Sequence, residues 1–184
     1  MAVRVPPSGE SFCDHHQQMW ERQDERVLFS GYRTLVTRSF ATPDGVRDFE
    51  IEVKADVAVV VALTPSRKVV LVREFRPGVE QWLLELPGGN VDSGEDPSAA
   101  AARELLEETG FQASLRYVGS IVADAYSTSR THLCVGDDAR QLQRSAEGLE
   151  VALLSVSEFR EHLRTGRLTD VGPGYLALDA LDLL

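Results

Sequence analysis

The strongest local constraint in this 184-residue chain lies between residues 82 and 110. Trp82 to Leu86 is a short extended stretch, stopped by Pro87-Gly88-Gly89. After the loop 90–96, Asp96 stands as an N-cap with Pro97 at the first helical position. Ser98 to Thr109 is rich in Ala, Leu, Glu and Arg, all strong helix formers, and Gly110 supplies the C-terminal cap. Glu104, Glu107 and Glu108 are three and four residues apart, which puts them on one helix face. Ala102, Leu105 and Leu106 are expected on the opposite face, packed on a core. Like charges at that spacing destabilise a helix by roughly 0.2–0.5 kcal/mol per pair, and Arg103 supplies a single positive charge against three. Such faces are as a rule simply solvated. The side-chain-free turn beside this one permits close approach of a ligand, and a hard cation such as Mg²⁺ takes carboxylate and phosphate oxygens together. Strand, glycine turn, loop and acidic helix therefore read as a metal-diphosphate cradle.

The rest of the chain is arranged around that unit. Residues 25–86 read as strands: Val27-Leu28-Phe29, Thr34-Leu35-Val36, an alternating stretch around Phe49, Ile51 and Val53, the run Val57–Leu63, and Val69–Phe75. Pro43-Asp44-Gly45 and Thr64–Lys68 are turns. Beyond the helix, Leu115–Val122, Thr131–Val135 and Leu149–Val156 read as strands, and Ser157 and Gly174 open two C-terminal helices. This mixture predicts an α/β fold in one domain, 19–184, behind a polar, flexible lead-in at 1–18. The N-terminal strands at about 25–54 form a separate small sheet.

Composition narrows the function. The 29 acidic and 19 basic residues leave a net charge of −10, which disfavours nucleic acid or an anionic membrane as a partner. Of that excess, residues 85–110 hold seven acids and one base. The longest apolar run, Val57–Leu63, is far too short to span a bilayer, and residues 1–18 lack the apolar stretch of a signal peptide. Two cysteines, Cys13 and Cys134, suit a reducing, cytoplasmic setting, with Cys134 a small buried hydrophobe. His15-His16 has no ligand partners spaced nearby, and Ser129 and His132 with Asp124 or Asp137 make no nucleophile arrangement. Trp20, Tyr32, Phe49 and Trp82 are expected to serve packing, in the core or between subunits.

Gly89, Glu95, Arg103-Glu104-Leu105, Glu107-Glu108 and Gly110-Phe111 resemble, at every fixed position, the box that defines the Nudix hydrolases. Val72-Arg73-Glu74-Phe75-Arg76-Pro77, Leu84–Gly89, Glu147–Val151 and Thr165–Asp170 are similar to its ADP-ribose pyrophosphatase branch. The resemblance implies an α/β/α sandwich around a mixed sheet, with an additional N-terminal antiparallel sheet exchanged between the subunits of a homodimer. It implies Mg²⁺, or alternatively Mn²⁺, held by Glu104 and Glu108, by Glu107 directly or through water, and by the Gly88 carbonyl. Gly89, Glu95, Arg103 and Gly110 take structural parts. Arg76 and Glu85 fall near the substrate, or else form a plain ion pair. The general base is one of Asp137, Asp138, Glu147 and Glu150, with Glu147 favoured. The implied reaction is metal-assisted hydrolysis of a small nucleoside diphosphate derivative, ADP-ribose to AMP and ribose 5-phosphate.

Two departures keep the substrate open. Fifteen residues past Phe111, where the branch carries proline, stands Tyr126, which looks more like the dinucleoside-polyphosphate hydrolases. Ser127-Thr128-Ser129-Arg130 also lacks the Pro-Gly-Gly and Glu of the ADP-ribose loop. Nucleotide sugars of the GDP-mannose type and dinucleoside polyphosphates are the alternative substrates. A non-catalytic ADP-ribose sensor is a further alternative, but it would be expected to have lost box carboxylates, and none is missing.

Overall fold

A computed structural model describes residues 20–122 and 124–184, so the lead-in at 1–18, with His15-His16, lies outside the described residues. The chain divides into two compact units: one runs to Lys54 and includes Tyr126–Thr128, the other comprises Ala55–Ala125 and Ser129–Leu184.

The first unit is an antiparallel meander of β1 (Glu21–Ser30), β2 (Thr34–Thr42) and β3 (Gly45–Val53). The strands extend well beyond the apolar runs that signal them. Cross-strand polar pairs carry the extensions: Arg38 donates to Glu25 at 2.6 Å, and Ser39 to Asp48 at 2.6 Å. Gly45, at φ +117°, closes the turn predicted at Pro43-Asp44-Gly45. Trp20, Phe40 and Phe49 form an aromatic cluster, with Trp20 and Phe49 stacked at 5.8 Å. Tyr126 joins it, 6.5 Å from Phe49, held by the bond from Glu52 N–H to its carbonyl. Every residue of β1 is exposed, Val27 and Phe29 included, and Val36 is the one buried hydrophobic residue described in this unit.

The second unit explains why Val57–Leu63 is apolar without a break: both of its faces are covered. Strand β4 (Val57–Ala62) is flanked by β7 (Gly88–Asn90) on one side and by β9 (Thr131–Gln141), parallel to it, on the other; β8 (Phe111–Ile121) completes the order β7-β4-β9-β8. A second sheet has the order β10-β5-β6, from β10 (Glu150–Ser155), β5 (Lys68–Arg76) and β6 (Gln81–Glu85). Ala58, Val60 and Ala62 pack with Val70, Cys134, Ala100, Ala101 and Leu105 under α1 (Pro97–Thr109). Val59, Val61 and Leu63 point the other way, to Val69, Leu71 and Leu133, and to Phe159 and Leu163 of α2 (Val156–Thr165) and Ala177 and Leu178 of α3 (Val171–Ala180). Period-two alternation thus sends neighbouring residues of one strand into two cores, giving the α/β/α layering around a mixed sheet.

The helix boundaries follow local chemistry. Ser155 caps α2 in a reciprocal capping box with Glu158, two residues before the expected Ser157 start. Helix α3 begins at Val171 rather than Gly174, and Asp170 at its N-cap makes no side-chain capping bond. Tyr32 and Trp82, expected to pack, are exposed within the chain, with Arg73 5.4 Å above the Trp82 ring. No helix among the described residues is long and apolar enough to cross a membrane.

Candidate active site

Helix α1 starts where its sequence dictates. Asp96 accepts from the N–H groups of Ser98 and Ala99, Pro97 occupies the first turn, and Gly110 ends the helix at φ +74°. The expected facing is corrected. The buried stripe is Ala101, Glu104, Leu105 and Glu108, spaced i, i+3, i+4, i+7, whereas Ala102 is exposed and Leu106 only half-buried. Two carboxylates therefore point inward from the core-facing side, and Glu107 stays half-exposed beside them.

The glycine turn is likewise not a free loop. Gly88–Asn90 is a paired strand, with Gly88 opposite Val59 and Gly89 opposite Ala58 of β4. Absent side chains let α1 lie close over it: a β-carbon on Gly89 would overlap the Glu104 carboxylate. Gly88 N–H donates to Glu108 Oε2 at 2.9 Å. Burial pushes the Glu108 carboxyl up to about 8, against that hydrogen bond, and the charges of Glu104, Glu147 and Glu74 push the same way. Burial also raises Glu104; Arg103 opposes the shift, while Glu107 and Glu147 add to it.

Arg103 organises the acidic groups. Its Nε and Nη2 grip both oxygens of Glu95 at 3.0 Å, its Nη1 donates to Glu104 at 2.6 Å and Glu107 at 3.3 Å, and Nη2 also reaches the Asn90 carbonyl at 3.1 Å. The fork geometry of guanidinium makes this possible, and a lysine ammonium has no equivalent. Glu95 accepts from Asp92 N–H as well, and its carboxyl is held below the usual range by Arg103 first and then by that bond. Glu95, Arg103 and Glu104 thus form one connected group, Gly89 lies against the Glu104 carboxylate, and Gly110 ends the helix.

Of the four candidate bases, the structure brings Glu147 to this place. The loop 142–149 folds back on the end of α1, and the charge of Glu147 reaches both Glu104 and Glu108. Asp137 pairs with Arg67, Asp138 with Arg140, and Glu150 with Arg73. Arg76 and Glu85 form an ion pair at 3.1 Å, with Glu85 fully buried and also accepting from Thr169 N–H and Oγ1. The other end of the Arg76 fork holds Glu74 at 2.9 Å. Glu74 was not anticipated as part of the site. Its available signal is period two: residues 74 and 76 share one face of β5.

The cluster gathers more negative charge than its two arginines offset. Among the described residues, no three acidic, His or Cys side chains converge into a ready-made cation cage. Mg²⁺ does not require one. It is ordinarily held by one or two carboxylates, waters and substrate phosphates, and the Glu104/Glu108 donor set fits that chemistry.

Residues 54–169 match the NUDIX domain family. The chain is 29% identical over 135 residues to an ADP-ribose pyrophosphatase of Bacillus subtilis (strain 168), covering 71% of this chain and 73% of that protein. It is 27% identical over 118 residues to a methanol dehydrogenase activator of Bacillus methanolicus, covering 60% of this chain and 64% of that protein, slightly under two thirds of its length. Among solved structures, the fold is similar to the crystal structure of an ADP compounds hydrolase, with a TM-score of 0.75 at 20% identity, covering 91% of this chain and 98% of the other.

Proposed function

Because the chain belongs to the Nudix family, we propose that it is a Mg²⁺-dependent hydrolase that cleaves the diphosphate bond of a nucleoside diphosphate linked to another moiety. ADP-ribose, giving AMP and ribose 5-phosphate, is the first substrate. The observation that carries this reading is the pair Glu104 and Glu108, inward-facing on α1 and closed over the Gly88-Gly89 strand.

In this reading Glu104, Glu108 and the Gly88 carbonyl hold the cation, with Glu107 acting directly or through water, and Mn²⁺ can replace Mg²⁺. When bound, the cation neutralises the diphosphate and lowers the pKa of a bound water. Arg103 keeps the Glu104 carboxylate in place through a contact that leaves its other nitrogens on Glu95 and Asn90. Glu147, on an exposed loop, takes the proton from the attacking water as the new P–O bond forms and the bridging P–O bond breaks. Arg76, fixed between Glu74 and Glu85, presents a guanidinium for a substrate phosphate or hydroxyl.

Tyr126 supports a second substrate reading, a nucleotide sugar or dinucleoside polyphosphate, because an aromatic ring beside Phe49 stands where the ADP-ribose branch carries proline. A panel of ADP-ribose, GDP-mannose and dinucleoside polyphosphates with Mg²⁺, resolved by product chromatography, separates the two. AMP from ADP-ribose supports the first reading; cleavage of the others alone replaces it. Glu108→Gln keeps the shape and removes a ligand charge, so turnover should fall by roughly 100-fold or more. Full turnover in that variant removes the metal role.

The same reading takes the protein as a cytoplasmic homodimer. The exposed apolar residues of β1, on a sheet with one buried hydrophobic side chain, suit a subunit contact, and the buried free thiol of Cys134 suits a reducing compartment. Light scattering checks the dimer, and a monomer at all concentrations rejects it.

A further inference from the structure

The loop that carries Glu147 lies between β9 and β10 and outside both sheets, so its position over α1 has to come from other bonds. A helix leaves its last carbonyls without intrahelical donors. Here the loop supplies them. The Glu107 carbonyl accepts from Ala146 N–H at 2.8 Å, Ser145 Oγ at 3.3 Å and Glu147 N–H at 3.4 Å. The Gly110 carbonyl accepts from Leu142 N–H at 2.9 Å and Gln143 N–H at 3.3 Å. Ser145 is the one side chain among these donors. Its hydroxyl also accepts from Leu149 N–H at 3.1 Å, which closes a turn with Glu147 at its exposed tip and Gly148 at φ +73° behind it.

We propose that Ser145 is a positioning residue for the hydrolysis: its hydroxyl ties the 145–149 turn to the end of α1 and so holds Glu147 against the end of the helix that carries Glu104 and Glu108. This deepens the function proposed above and rests on Glu147 accepting the proton of the attacking water. A hydroxyl on a short side chain both donates to the helix and accepts from the turn, and alanine does neither. In Ser145→Ala the backbone donors of Ala146 and Glu147 still reach Glu107, so the loop stays attached but loses the bond that closes the turn. Threonine keeps the hydroxyl.

The test compares wild type, Ser145→Ala, Ser145→Thr, Glu147→Gln and the double variant Ser145→Ala/Glu147→Gln. Ser145→Ala should lower kcat about tenfold or more with KM within about twofold, because the proton acceptor is misplaced while the substrate contacts remain. Ser145→Thr should recover most of that loss. The double variant should be no slower than Glu147→Gln alone, since a residue acting only through Glu147 has no effect once its carboxylate is gone. Amide hydrogen exchange gives a readout independent of turnover: residues 145–149 should exchange at least about tenfold faster in Ser145→Ala, with 98–106 unchanged. Wild-type kcat in Ser145→Ala, additive losses in the double variant, or unchanged exchange at 145–149 would each overturn the proposal. If wild type cleaves nothing in the substrate panel, the functional reading fails and so does the catalytic part of this inference, while the exchange result separately decides whether Ser145 holds the turn.

Discussion

Gly88 and Gly89 are adjacent, yet what surrounds them differs in kind. A β-carbon on Gly88 would meet the backbone of β4, at the Ala58 carbonyl and at Val59 Cα 2.9 Å away, and these atoms cannot withdraw without opening the sheet. On Gly89 the three nearest atoms all belong to the Glu104 carboxylate, the end of a side chain rather than backbone. Gly88→Ala should therefore cost about 1–3 kcal/mol of stability, as overpacking does. Gly89→Ala should melt within about 2 °C of wild type, since about 1 kcal/mol moves Tm by 2–4 °C at this size, while its turnover falls as Glu104 is pushed aside. Thermal melts alongside kinetics check the pair, and an early-melting, fully active Gly89→Ala would reverse the assignment. Much of this scale is legible in the sequence, because Arg103 and Glu104 are adjacent and Glu95 is only eight residues before Arg103. Glu74 was not legible in the same way. Its link to Arg76 is a two-residue step on a strand, but its effect on Glu108 crosses between elements far apart in sequence.

At the level of elements, α1 could be read almost to the residue because its signals are local: Asp96 caps, Pro97 starts and Gly110 stops it. Its facing could not. Clustered carboxylates look like a solvated face until the strand they cover is known to be glycine, and only pairing with β4 turns Gly88–Asn90 into a strand. The start of α3 was misplaced for a related reason, since Asp170 sits at the N-cap without capping. Asp170 instead lies near Glu85 and Arg76, and burial raises its carboxyl above the usual 3.8, with the Glu85 charge adding and Thr169 and Arg76 opposing. A raised value means the folded chain binds this proton more tightly than the unfolded chain. The contribution to stability is thus complete below the ordinary aspartate range and is lost as pH rises through the folded value. Asp170→Asn should match wild type near pH 4 and exceed it at neutral pH. Calorimetric melts across pH 4–8 check this, and an Asn variant that is less stable at pH 7 would show that Arg76 already compensates the charge.

For the whole molecule, the uneven charge is the feature that composition disclosed and the fold explains. A chain of net charge −10 should repel a diphosphate, yet residues 85–110, with seven acids and one base, are folded so that Glu104 and Glu108 face inward together. A divalent cation reverses the local sign and makes the same surface attractive to phosphate. Binding to the folded state alone also stabilises it, by about 1.4 kcal/mol at ten times the dissociation constant, because the unfolded chain does not hold the two carboxylates together. For a chain of this length that corresponds to about 3–6 °C in Tm. Mg²⁺ should therefore raise the melting temperature saturably, EDTA should return it, and Glu104→Gln/Glu108→Gln should melt at a temperature indifferent to Mg²⁺. General screening of the acidic surface is the competing cause, and it depends on ionic strength rather than on the two carboxylates. NaCl at matched ionic strength separates them: an equal rise in NaCl, or a full Mg²⁺ response in the double variant, would assign the effect to the surface as a whole and withdraw the cation from the site.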